Sequence, residues 1–409
     1  MTQPYRVRAV HCDWQADDET VYQALARGTA PLDRTWERLS KARRIGVKFN
    51  QARPYPKEVL YRGYPQELVD PRVARATLRL LRERTAAEIV CTEIAVCHHA
   101  HPDWPFEDEL TLRHVLKEFD ITCVDGDEPP HRVVPVPGGG TLFRQYLLPN
   151  SVADCDAFVS VQKLKNHRFM GLTLCLKNLF GLTPETPHGR SRAYFHHLVR
   201  LPYVLTDLGR IIDPALNIVD GLVGQAGVEW SGEPRIGNVL LTGDQVIATD
   251  ACGAHLMGHD PMGDYPNQPF LRDRNALRVA HESGFGTADL SEIDYQSEVD
   301  APVAQFATRQ IDPPEVVRSW LCSSCRQALY YRDHREEMVA RYGGHFILLQ
   351  GNRVRWYSPQ SDLRASRRVL AGASFESALW LKYVDPDEAE GEHFEVYERT
   401  LERLDALGG

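Results

Sequence analysis

The stretch CDAFVSVQKLKNHRFMGLTLCLKNLFG, residues 155–181, restricts this chain more than any other. Its first ten residues read as a buried central strand. That strand runs without a break into Lys163, Lys165 and His167, with Arg168, Lys177 and Asn178 close behind. An unpaired cation in a protein core is costly. A fold that buries this strand must therefore offer its end either carboxylate partners or an anionic ligand. Both readings are open from the residues. The carboxylates that could serve the first are Asp220, Asp250 and Glu93.

Cation usage adds weight to the second reading. The chain has eight lysines against thirty-nine arginines. Arginine keeps its proton and presents a broad planar fork, whereas lysine is a compact, titratable charge. Half of the lysines, Lys48, Lys163, Lys165 and Lys177, fall in two short stretches, the first being IGVKFN at 45–50. Lys48 and Asn50 are expected to reach the same pocket from a neighbouring strand.

Apolar strands alternate with helical segments along most of the chain, which predicts an α/β fold with largely parallel sheets. Strands are expected at 5–12, 44–49, 87–96, 121–125, 155–164, 215–223 and 236–244. Helices are expected at 18–43, 70–85, 108–118, 205–213 and 245–258, and a further one begins at MGLTLCLKNLFG (170–181). The reading is two α/β domains, 1–204 and 205–312, with a cleft between them. Residues 313–409 follow as a CxxC-bearing helix, a hairpin turning at Gly351-Asn352 and a charged helical tail.

In open α/β sheets ligands bind beyond the carboxyl ends of strands, where Lys163, Lys165 and His167 are expected. A helix N-terminus there favours negative charge. Crowded cations also depress one another's pKa, which leaves one amine neutral as a base. On this reading His167, Lys165 and Lys177 are catalytic, and Lys48, Asn50, Lys163, Asn178 and Arg168 bind a small carboxylate or phosphate. Metal-ligand candidates are His98, His99 and His101 in CHHAH, together with Asp220, Asp250, Cys322 and Cys325. A lone CxxC falls short of the four ligands that a zinc ion or an iron–sulfur cluster takes.

A net charge of −9 argues against a nucleic-acid binder. No run of about 18 apolar residues predicts a membrane span, and the first residues lack a signal-peptide apolar region. Nine scattered cysteines suit a reducing compartment. The expected location is the cytoplasm.

The segments GVKFN, VQKLKNHRFMGLTLCLKNLFGLTP and DLGRIIDPALNIVDGLVGQAGVEWSGEPRIGNVLLTGDQVIATDACGAHLMGHDP occur in that order. In them the sequence resembles the domain-of-unknown-function family three-six-two, whose members are often labelled iron–sulfur centre proteins. A more distant similarity, carried by His167 and Lys177 ten residues apart, is to the N-terminal region of nickel-pincer lactate racemases. That similarity implies a histidine acting as acid or base and a lysine contacting the cofactor. Many members of the nearer family carry a ferredoxin-like set of cysteines, and this chain has Cys322 and Cys325. A homodimer would let two such pairs share one cluster.

The expectation is thus a small-molecule enzyme that holds an anionic substrate in a Lys/His-lined cleft. Its chemistry would be acid–base, or redox assisted by a divalent metal. The alternative from another class is a non-catalytic iron–sulfur or metal-binding electron-transfer protein using Cys322 and Cys325. The cofactor is undetermined, with an iron–sulfur cluster less favoured than a divalent metal.

Overall fold

The computed structural model describes residues 3–52, 58–94, 105–185, 194–359 and 379–407. The fold is mixed α/β, built on one large, mostly parallel sheet with a separate small antiparallel sheet. The large sheet runs in the order Ile293–Ser297, Tyr5–His11, Glu233–Gly243, Leu216–Ala226, Ala157–His167, Arg44–Phe49, Glu88–Glu93, Cys123–Asp125. A ninth short strand, Gly171–Thr173, folds back antiparallel onto residues 165–167. Ala157–His167 is the central strand, with parallel neighbours on both sides. Strands from 1–204 and from 205–312 therefore hydrogen-bond side by side in the same sheet.

Both faces of this sheet are covered, which explains the long apolar runs in its strands. Successive side chains alternate between faces. Val159 and Val161, with Val47, Ile218 and Leu240, join the core under helices Asp18–Thr29 and Pro71–Arg84. Phe158 and Leu164, with Val219 and Leu241, join the core under helices Arg200–Ile212 and Val246–Leu256. Helix Pro71–Arg84 starts where its residues dictate. Asp70 caps it by accepting from Arg72 N, and Pro71 sits at the first position, where no N–H is needed.

The segment after the central strand departs from the expected helix. Gly171 takes φ +76, a conformation that favours glycine, and turns the chain back as a strand. Helix follows only at Cys175–Asn178, continued as a 3-10 turn over Leu179–Leu182. The tail also departs. Trp380–Tyr383 is a strand paired with Phe346–Gln350 of the expected hairpin, and helix Glu395–Ala406 comes after it. Its buried Trp380 and Leu381 complete the small sheet, an outcome that the charges around them obscured.

Candidate functional site

The central strand brings two lysines to one face. Lys163 and Lys165 are two residues apart, and both donate to the segment that precedes helix Pro71–Arg84. Lys163 Nζ reaches Pro65 O at 3.0 Å, and Lys165 Nζ reaches Glu67 O at 2.7 Å. Two donors two residues apart thus meet two carbonyls two residues apart. The period-2 spacing of Lys163, Lys165 and His167 was the sequence signal for this shared face. Residues 65–67, which lie across it, had no comparable signal.

The two amines differ in their countercharge. Lys163 forms a 2.7 Å ion pair with Asp220 Oδ2, and neither side chain is exposed. The two residues are register partners on adjacent parallel strands. Asp220 therefore lies inside strand Leu216–Ala226 rather than at its end. Its oxygens also accept from Asp70 N at 2.8 Å and Leu222 N at 3.1 Å, which commits it to this network rather than to a metal. Beyond Asp220 the pairing slips, and Gln225 becomes the partner of Lys165. Gly224 makes this possible, since a Cβ there would lie 2.5 Å from Leu164 O.

Lys165 has no carboxylate oxygen of a described residue within 4.0 Å. Its ammonium lies 4.5 Å from the Trp230 ring centroid, and the residue is 1% exposed. Burial pulls its pKa down to about 7. Glu67 and Glu229 oppose the fall, and the charges of Lys163 and Lys48 add to it.

His167 is buried and accepts at Nδ1 from Phe169 N at 3.0 Å and Met170 N at 3.2 Å. Burial holds its pKa well below the ordinary value, helped by Lys177, Lys165, Arg168 and Arg272. A neutral ring with Nδ1 accepting carries its proton on Nε2. Lys177 lies 4.4 Å over the Phe180 ring, and Phe180 and His167 both neighbour the His196 ring, at 5.7 and 5.8 Å. Arg168 is largely exposed and pairs with Glu229 at 3.3 Å.

Lys48 is turned to the opposite face of the sheet from Lys163 and Lys165. In register it pairs with Ser160, whose hydroxyl donates to Cys175 O on the opposite face from Val161 and Lys163. There Lys48 forms a buried 2.7 Å ion pair with Glu93 and donates to Phe49 O. Asn178 uses its amide on Lys48 O, Ser160 Oγ and Val161 O, so it ties two strands together. Asn50 binds the chain through its backbone, while its side-chain oxygen is buried with no partner among the described residues.

Asp250 accepts from Cys175 N at 2.9 Å and Leu176 N at 2.7 Å, holding the start of the short helix. Burial raises its pKa to about 7 against those hydrogen bonds. Cys322 and Cys325 lie on helix Pro314–Asp333 as free thiols. His98, His99 and His101 lie outside the described residues. Among those described, no group of three or more His, Cys, Asp or Glu could hold a metal ion. The described donors thus do not fit an iron–sulfur cluster. Sequence reasoning passed over Glu67, Glu229, Trp230 and Arg272. Glu229-Trp230, an acid and an indole between glycines, was the signal available for two of them.

Residues 59–255 match the model of the family described as Domain of unknown function (DUF362). That span takes in both lysines, His167 and Asp220. Over that segment the chain is similar to this family. The chain is also similar to the Thylakoid-associated protein sll1697 of Synechocystis, at 29% identity over 125 residues. That alignment covers 29% of this chain and 38% of the relative. Neither match concerns the nickel-pincer lactate racemases. No solved structure matches. No described helix is long and apolar enough to cross a membrane.

Proposed function

We propose that the end of the central strand is an acid–base site for a small carboxylate or phosphate. The observation that carries this reading is Lys165, a buried amine with a pKa of about 7 and no carboxylate of a described residue within 4.0 Å. Such an amine takes and returns a proton at neutral pH. His167, neutral with Nδ1 occupied, is suited to donate from Nε2 to a developing oxyanion rather than to act as base. Lys177, Arg168 and Arg272 supply the positive potential that draws an anion. Abstraction of a proton next to the bound carboxylate is the reaction these groups serve together. Lys163 and Lys48, each held by a buried carboxylate, are support for the site. A cytoplasmic location belongs to the proposal, because described cysteines as close as Cys91 and Cys123 (3.5 Å between sulfurs) remain free thiols.

The test is a thermal-shift panel of mono- and dicarboxylates and phosphates, followed by solvent-deuterium exchange of the α-protons of whichever carboxylates bind. Wild-type protein is expected to be stabilised by one class of anion and to catalyse exchange. Lys165→Met is expected to remain folded and to lose exchange at least about a hundredfold. Absence of both stabilisation and exchange at millimolar anion, or undiminished exchange in the variant, overturns the reading.

A further inference from the structure

Helix Pro314–Asp333 presents Glu315, Arg318, Cys322 and Arg326 along one side, at spacings of three and four residues. With the hairpin turn at Gly351-Asn352, this side lines an open hollow of about 380 Å³. Cys322 is half-buried and lines the hollow, with an arginine one turn away in each direction. Neither Arg318 nor Arg326 makes a hydrogen bond or ion pair to a described residue, Glu315 included. Two guanidiniums with no ion-pair partner among the described residues thus flank a thiol beside a space large enough for a small molecule.

The other half-buried described thiols are placed differently. Cys123 lies against Cys91, and Cys155 donates to Ser151 O; burial pushes both pKa values up, Cys155 to about 11. Cys325, three residues beyond Cys322, is fully buried, and burial drives its thiol up as well. It is poorly suited to displace anything attached to Cys322.

We propose that Cys322 is a covalent attachment point for small anionic disulfides, with Arg318 and Arg326 holding their carboxylates. Water takes the thiol proton, and the Cys322 thiolate attacks one sulfur of R–S–S–R. A new S–S bond forms to that sulfur, and the old one breaks with its electron pair leaving on the second sulfur. That thiolate then takes a proton from water. Cys322 is oxidised to the mixed disulfide, and one half of the reagent is reduced to RSH. This site is separate from Lys165 and does not depend on the function proposed above.

The experiment exposes the full chain to 3,3′-dithiodipropionate, 2-hydroxyethyl disulfide or cystamine, which are anionic, neutral and cationic. Adducts are followed by intact mass and located by peptide mapping. Each rate is divided by that reagent's rate with free N-acetylcysteine. The expected result is a single adduct on Cys322, with a normalised rate about tenfold higher for the anionic than for the cationic reagent. Arg318→Gln/Arg326→Gln is expected to bring the two rates to parity. In wild type, half-molar salt is expected to shrink the preference, which tests the charge effect without relying on the variant's folding. Adducts chiefly on another cysteine, equal normalised rates, or a preference that survives both the double substitution and salt overturns the proposal.

Discussion

Lys163 Nζ lies 2.7 Å from Asp220 Oδ2, and both side chains are wholly buried. Parallel register sets the pair opposite one another on adjacent strands. Each charge is the other's main compensation, since the remaining contacts are to backbone groups.

Removing one partner should therefore cost far more than removing both. Lys163→Met leaves the Asp220 carboxylate buried beside Asp70 and is expected to destabilise the protein by about 3–5 kcal/mol. Lys163→Met/Asp220→Leu should recover part of that loss. Urea denaturation of the wild type, the single variant and the double variant gives the comparison. A single variant as stable as wild type would contradict the pairing described above.

Lys165 predicts a pH dependence of opposite origin. Its folded-state pKa, about 7, lies below the ordinary lysine value of 10.5. Below pH 7 the amine is charged in both states, and the folded protein bears the full desolvation penalty. Between pH 7 and 10.5 the unfolded chain binds the extra proton, so stability rises with pH by up to about 1.4 kcal/mol per unit. Lys165→Met lacks this dependence. Its stability relative to wild type should be greatest below pH 7 and should decline steadily towards pH 10. A difference that stays flat over this range argues for an ordinary lysine.

Asp250 should act in the acid range. Burial raises its pKa from 3.8 to about 7. The stability it contributes is complete below pH 3.8 and is lost as pH rises through 7. Asp250→Asn keeps an acceptor for Cys175 N or Leu176 N and cannot ionise. The variant's stability curve should be flatter than that of wild type between pH 4 and 7, as measured by chemical denaturation at half-unit steps. Parallel curves would show that Asp250 ionises normally.

The expected strands at 44–49 and 155–164 were legible because apolar, β-branched runs mark a sheet covered on both faces. Of the helix expected at 170–181, Gly171–Thr173 is a strand and helix holds only from Cys175. The apolar pattern of GLTLCL suits a buried strand as well as a helix, and the φ of Gly171 decided between them. The grouping of Lys48 with Lys163 also went astray, because alternation puts each on a face fixed by register, and register between separate strands is not written in either one.

By itself, the sequence determined that 155–164 would be a buried strand running into cations, since residue type is a local property. Only the tertiary structure decided which of those cations would be neutralised. Asp220 stands 57 residues from Lys163, and Glu93 stands 45 from Lys48. Sheet order brought each carboxylate within 2.7 Å of its amine and left Lys165 facing a backbone carbonyl and an indole ring. Coulomb energy depends on distance in space, and that distance was set by strand pairing rather than by position along the chain.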